Sequence, residues 1–466
     1  MKKIISIAAL TLFVLFAISA CAPAAQPTTA PAATTAPTQP TTAPAATTAP
    51  AQPTTAPAAT QAPAAGTIVL HMLWYNDGNE GDVMRDLLNR YQAANPGIQV
   101  VMDTVAYKDI HNILQTQVDG GTPPDLARVT DVARFAGKYL DMRPYMTDPN
   151  GWAADWPAPV LQSFRTGSDT TGLYGFPTQF TVTGPFINRT LFQQAGVPVP
   201  SDTSKQVTWD QWITAAKQVA TATKTYAVAM DRTGHRFWGP SLSNCAHYID
   251  SASSKTFTID TPGFRDTANM LISWHQQKIT PLDIWLGSGG AYAAGNDYFV
   301  NGQLVFYFSG SWQIGQFAKL IGNKFEWDAI PNPYGKCGST GIPGGALLGA
   351  MAGTKHPKEV TKLVEWLSSD DVLAEFSARS LFIPGKLTLA KKGIQYPSSN
   401  KQLNVFLAEI PKLSPEAYAL QYHPLTFVLN TEIRDRLSQV IAGELTLDQA
   451  IQKIQQKMDD AVKTMK

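Results

Sequence analysis

Residues 22–66 carry no charge and repeat Pro-Thr-Thr-Ala-Pro-Ala-Ala-Thr with small variations. Such a stretch has too little apolar side chain to offset the entropy lost on ordering it, so no packed core can form there. Its proline content favours extended polyproline II, which at roughly 3.1 Å per residue would reach on the order of 140 Å. The fold must therefore be built from the roughly 400 residues that run from Thr67 to Lys466. That is enough for two substantial lobes.

The chain ahead of the tract reads as a targeting segment. Lys2-Lys3 supplies a basic start, and the apolar run from Ile4 to Ile18 is short for a membrane span. Ile18-Ser19-Ala20-Cys21 places a cysteine directly after small residues, as in a bacterial lipobox. Residues 1–20 are expected to be a lipoprotein signal peptide, Cys21 the acylated mature N-terminus, and residues 21–66 a disordered tether. A plain signal peptide that happens to contain cysteine is the alternative.

The formal net charge is +1, or −1 once Lys2 and Lys3 are removed, and no basic stripe or charge run occurs. Nucleic acid is therefore not an expected partner. Charged residues make up 16% of the chain, against 11 Trp and 15 Tyr. That balance suits recognition by aromatic faces rather than by ions. With Cys21 taken by lipid, Cys245 and Cys337 remain, and an even pair in an exported chain is expected to form one disulfide or to stay as two thiols.

Within the body, Thr67–Tyr75 reads as a strand, Gly81–Ala94 as a helix stopped by Asn95-Pro96-Gly97, Ile98–Val105 as a strand and Tyr107–Val118 as a helix. This alternation predicts a mostly parallel α/β sheet. The loop Asn76–Gly81 superficially suggests calcium, but its glycine spacing is wrong and Leu88 occupies the twelfth position, where an EF-hand needs Glu. Further on, Leu304–Phe308 is an unbroken apolar run, and Ser309-Gly310-Ser311 turns and can cap a helix from Trp312 towards Ile321. Trp312 then either packs in a core or lines a crevice at that helix start.

Several stretches resemble one family. Phe299-Val-Asn-Gly-Gln303 followed by an apolar strand and Gly310-Ser-Trp312 is similar to a pattern of the extracellular solute-binding proteins that feed ABC importers, in their maltose-binding-protein-like, sugar-binding branch. Asn95-Pro-Gly-Ile98, Gly121-Thr-Pro-Pro-Asp125, Leu173-Tyr-Gly-Phe-Pro177 and Gly341-Ile-Pro-Gly344-Gly345 resemble further stretches, in the same order. The resemblance covers residues 67–466 and departs at the cysteines and around residues 145–170. It implies a two-lobed periplasmic-binding-protein-like (type II) α/β fold, with a ligand cleft between lobes joined by about three hinge crossings. Residues 67–178 and 341–372 would form lobe 1, and residues 179–340 and 373–466 lobe 2.

It also implies a receptor, not an enzyme, that needs no metal or cofactor. The receptor would be a monomer held outside the cell membrane by its lipid, closing on a sugar or oligosaccharide and delivering it to permease subunits with a cytoplasmic ATPase. Trp74, Tyr75, Trp238, Trp285 and Trp312 would supply aromatic faces. Trp238 and Trp285 belong to expected loops, the second being glycine-rich from Asp283 to Tyr292. Asn76, Glu80, Asp125, Gln179 and Arg379 would bind hydroxyls, with Gly344 and Gly345 bringing backbone close. Trp209 and Trp212, behind the capping box Thr208-Trp-Asp-Gln211, are expected to be structural.

Three rivals stand beside this reading. The same fold could take a polyamine, iron or a phosphorylated polyol, although the seven His are scattered. An exported glycoside hydrolase needs only two convergent acids. A surface lipoprotein without ligand is the third, and the glycine-bounded aromatic stretches argue against it.

Overall fold

The structure is a computed structural model that describes residues 66–166, 169–287 and 291–465. The signal segment, Cys21, the tether and Ser288-Gly289-Gly290 of the glycine-rich loop lie outside the described residues.

Among the described residues, ten strands form two sheets: β1 (Ile68–Tyr75), β2 (Ile98–Val105), β3 (Leu126–Val129), β4 (Gly175–Pro177), β5 (Thr181–Asn188), β6 (Tyr226–Met230), β7 (Leu304–Gly310), β8 (Trp327–Ala329), β9 (Pro343–Gly344) and β10 (Leu347–Ala350). The first sheet runs β2-β1-β3-β10-β4. β1 is parallel to β2 and β3, while β10 is antiparallel to β3 and β4. The second runs β6-β7-β5-β8, with β9 added against the start of β5.

Side chains alternate across the first sheet, so both of its faces need cover. Leu70, Met72 and Trp74 of β1 join one core with Leu126, Phe176 and Leu348. Leu73 and Tyr75 join the core on the other face, with Ala127, Val129 and Leu347. The second sheet carries a larger core in which Phe186 meets Phe317 at 4.9 Å and Phe406 at 5.5 Å between ring centres. Each such pair contributes about 0.5–1.5 kcal/mol beyond its buried area. Trp209 and Trp212 are buried there, behind a capping box formed by Thr208 and Gln211.

The chain passes between the sheets three times. Pro177 ends β4 in the first and Thr181 begins β5 in the second; β9 pairs with β5, whereas β10 returns to the first sheet. The third passage differs from the expected lobe boundary. Leu373, Phe376, Phe382 and Leu389 pack in the first lobe's core, Leu381 and Ile383 reach into the second, and from Leu403 onward the core residues belong to the second. Helices Asp370–Ser380 and Leu387–Lys392 are therefore part of lobe 1, because their apolar faces meet Trp74 and its neighbours. Residues 145–166 contain two short helices, Pro149–Ala154 and Ala158–Gln162, and bury Trp156 and Leu161 in lobe 1.

Cys245 and Cys337 are joined by a disulfide, with α-carbons 5.2 Å apart. It lies within lobe 2, beside the bond from the Cys337 amide to the Ser243 carbonyl at 2.8 Å.

Candidate functional site

A cleft of about 500 Å³ opens between the two sheets. It lies beyond the carboxyl ends of β1, β3, β6 and β7, where the loops of an α/β sheet are free to carry ligand-facing groups.

One wall grows from the end of β1. Tyr75, Asn76 and Asp77 line it, joined by Tyr107, which opens the helix after β2, and by Thr130 and Asp131 after β3. This wall is braced from behind by Arg128, which has no exposed surface. Its guanidinium donates to the Tyr75 carbonyl, to Glu80 Oε1 at 2.7 Å, to Asp77 Oδ2 at 3.2 Å and to Gln179 Oε1 at 2.8 Å. It also lies over the rings of Trp74 and Tyr75, 4.6 Å and 4.2 Å from their centres. Glu80 in turn accepts from the amides of Asp77 and Gly78, so the loop after β1 is tied to its own helix start.

Burial raises the Asp77 carboxyl to about 6, against the opposing pull of Arg128. Asp131 is likewise raised to about 6 by burial, with Arg134 opposing. Behind it, His111 Nε2 accepts from the amides of Thr130 at 3.3 Å and Asp131 at 3.2 Å. Burial, then Arg134, lowers this imidazole to about 4, so it stays a neutral acceptor.

The floor comes from the crossings. Gln179, Thr181, Gly344 and Gly345 face the cleft. Gly345 has φ +146°, and a Cβ there would collide with the Gln179 carbonyl, so the returning strand can pass the outgoing one only as glycine.

The opposite wall is the start of helix Gly234–Ser243, capped by Thr233. His235, Arg236 and Trp238 line it, with Ala294, Asn296, Trp312, Gln313 and Gln316. The Arg236 guanidinium covers the Trp312 ring at 4.3 Å and stands 3.7 Å from Asp231. Asp231 accepts from the Tyr307 hydroxyl at 2.8 Å, which couples β7 to this wall. Burial, then Arg236, lowers His235 to about 3. From the C-terminal helices come Gln421, Thr426, Phe427 and Asn430. Asn430 Oδ1 accepts from Thr233 at 3.0 Å and from the His235 amide at 3.1 Å.

The family of bacterial extracellular solute-binding proteins matches residues 76–374. The chain belongs to that family. The multiple sugar-binding protein of Streptococcus mutans is 23% identical over 325 residues, 65% of this chain and 72% of that one. Among solved structures, the GacH receptor of Streptomyces glaucescens, studied unliganded and with acarbose, superposes with a TM-score of 0.70 at 18% identity, over 86% of this chain and 98% of that one. An ABC substrate-binding protein of Listeria monocytogenes in complex with cycloalternan gives 0.68 at 18%, over 85% and 99%. The maltotriose-bound domain MalE of Bdellovibrio bacteriovorus gives 0.70 at 14%, over 85% and 100%. The shared fold is the two-lobed periplasmic-binding-protein-like one.

In this solute-binding protein the expected site residues divide. Tyr75, Asn76, Gln179, Trp238, Trp312, Gly344 and Gly345 line the cleft. Trp238 does so with 1% of its surface exposed, and it stands on a helix, not in the expected loop. Five others lie elsewhere. Trp74 points to the opposite face of the sheet from Tyr75, and its indole donates to Asn76 at 3.0 Å. Glu80 is buried behind the wall as the partner of Arg128. Asp125 accepts from the His71 amide at 2.7 Å and from Thr354, pinning β1 to the chain after β10. Trp285 is core, its indole donating to the Met230 carbonyl at 2.8 Å. Arg379 sits on the lobe 1 surface, paired with Asp86 at 2.6 Å and Glu375 at 2.8 Å. Ser311 does not cap the following helix; its hydroxyl accepts from the Val182 amide at 3.2 Å.

Arg128, Asp77, Tyr107, Asp131, Arg236, Phe427 and Asn430 were absent from the expected set. Asp77 and Arg236 were within reach, as direct neighbours of Asn76 and of the Phe237-Trp238 pair.

Proposed function

We propose that the chain is the extracytoplasmic receptor of an ABC importer for a sugar or oligosaccharide. It is tethered to the outer face of the membrane by a lipid on Cys21 and delivers its ligand to permease subunits after hinge closure. The lining of the cleft carries this reading. Seven carboxamides face it, those of Asn76, Gln179, Asn296, Gln313, Gln316, Gln421 and Asn430, against one guanidinium, Arg236, and two carboxylates, Asp77, which is engaged by Arg128, and Asp131. A carboxamide both donates and accepts, as a hydroxyl does, so such a lining suits an uncharged polyol better than a polyamine or a phosphate ester. Aromatic rings from both walls cover the apolar C–H faces that sugars also present. The sugar named for the Streptococcus mutans relative, and the ligands in the superposed receptors, support the same class.

The testing experiment is a thermal-shift screen of the mature chain against mono-, di- and trisaccharides, polyols, polyamines and ferric citrate, with product analysis of each oligosaccharide. Ligand at 100 times its Kd adds about 2.7 kcal/mol of stability. The expected result is a rise with one sugar group and no cleavage. A rise with a polyamine or iron alone overturns the sugar, and cleavage overturns the receptor.

A further inference from the structure

Helix Ala158–Gln162 belongs to the stretch where the sequence departs from the family pattern, and it meets lobe 2 as well as filling lobe 1. Val160 and Phe164 are buried in the lobe 1 core that Leu73 and Tyr75 join. Tyr422, the last residue of helix Pro415–Tyr422, packs against that same core. Its helix is otherwise part of lobe 2, since Ala417, Ala419 and Leu420 sit in the core of the second sheet. One half-buried ring thus reaches from lobe 2 into the side of lobe 1.

The backbone that carries Tyr422 is fixed to lobe 2. His423, the next residue, is 1% exposed, and its ring stands 4.8 Å from Phe257. Its Nδ1 accepts from the Leu425 amide at 2.9 Å, so Nε2 keeps the proton and donates it to the Ser254 carbonyl at 2.9 Å. The Thr426 hydroxyl donates to the Leu420 carbonyl across the same corner. A small void of about 20 Å³ lies where this corner meets lobe 1, lined by Val132, Ala133 and Ser163 together with Tyr422 and His423. Thr130, Asp131, Gly344, Gly345, Gln421 and Thr426 line both the void and the cleft, whereas Tyr422 lines only the void. The contact therefore borders the cleft and the crossing at Gly344-Gly345 without entering the ligand space.

We propose that Tyr422 is a latch between the lobes, its ring carried by one and packed into the other. Three backbone crossings alone leave two rigid bodies free to rotate about them. The Tyr422 contact must break before the lobes rotate apart at this side, so it narrows the range of separations that the receptor samples without sugar. The latch rests on the hinge motion and on no feature of the ligand's chemistry.

The test is pulsed electron double resonance on the mature chain without sugar. Nitroxide labels are placed on exposed residues of the two lobes, as the pairs Asp119 with Ala222 and Lys358 with Lys457. They are attached through ketone-bearing unnatural residues, which leaves the Cys245–Cys337 disulfide intact. Wild type is compared with Tyr422→Ala, Tyr422→Phe and Ser163→Leu, the last overfilling the void from the lobe 1 side while keeping Tyr422. In Tyr422→Ala the ratio of separated to joined lobes is expected to rise about tenfold, and in Tyr422→Phe to stay as in wild type. An unchanged ratio in Tyr422→Ala overturns the latch, and a ratio in Tyr422→Phe as high as in the alanine variant overturns ring packing as its basis. Should Tyr422→Ala fail to fold, Ser163→Leu decides the matter by the same ratio. No sugar is present, so neither result bears on the sugar reading, which the thermal-shift screen decides.

Discussion

Arg128, in the middle of β3, donates to the side chain of Gln179 on the first crossing at 2.8 Å. One buried cation thereby fixes the end of β1, the start of the following helix and the floor of the cleft against one another. Breaking a buried ion pair from one side leaves the other charge without a partner, at about 3–5 kcal/mol. Arg128→Met is expected to destabilise by that amount in urea unfolding, because Glu80 is also fully buried. Adding Glu80→Gln should recover much of the loss. If the double variant were no more stable than the single one, the ion pair would not be the source of the effect.

The arrangement around Arg128 also marks where sequence reading stops. Strands β1 and β2 and their helices are legible because apolar spacing and turn residues act locally; β2 occupies Ile98–Val105 as expected. Leu304–Phe308 is legible as a strand because an unbroken apolar run of that length has few other uses. Trp74 was separable from Tyr75, since neighbours on a strand face opposite sides, and the aromatic pair nonetheless suggested one shared face. Arg128 gives no such signal. It stands between Ala127 and Val129 in a four-residue strand, and its partners lie 48 to 53 positions away along the chain. Phe427 is hidden for a similar reason, since its exposure depends on which lobe the C-terminal helices cover. The lobe boundary was misplaced because Asp370–Ser380 reads only as an amphipathic helix, whichever core receives it.

The disulfide between Cys245 and Cys337 joins positions 92 residues apart. Closing a loop of that size removes entropy from the unfolded chain, and typical contributions are about 2–4 kcal/mol. Dithiothreitol, or the Cys245→Ser/Cys337→Ser variant, is expected to lower the urea midpoint accordingly. Ligand affinity should change little, because neither cysteine lines the cleft. An unchanged midpoint on full reduction would show that the cross-link is energetically idle.

Trp312 and Arg379 should separate cleanly by titration calorimetry. Trp312 lines the cleft beneath Arg236, so Trp312→Ala removes an aromatic face and lets that guanidinium move; a loss of about tenfold or more in sugar affinity is expected. Arg379 is engaged on the surface with Asp86 and Glu375, and Arg379→Ala should leave affinity within about twofold. The opposite ranking would move the site to the outer face of helix Asp370–Ser380.

Asp131, like Asp77, makes stability depend on pH in the sense opposite to the buried histidines. Burial raises its carboxyl from the usual 3.8 to about 6, so the folded protein holds a proton there that the unfolded chain has already released. The charged carboxylate therefore costs stability above pH 6, and that cost is relieved as the pH falls from 6 towards 3.8. His111 and His235 act in the other sense. Their pKa values are lowered to about 4 and about 3, so the unfolded chain takes up protons first and stability is lost as the pH falls below 6.5. Protonating His111 Nε2 would also remove the acceptor that holds the Thr130 and Asp131 amides. Comparing wild type with Asp131→Asn cancels the histidine contributions and isolates the carboxylate. The variant is expected to be more stable by about 1–2 kcal/mol at pH 8, with the gain fading to nothing near pH 4. Melting curves at pH 4, 6 and 8 measure it, and a gain equal at all three pH values would remove the titration of Asp131 as its cause.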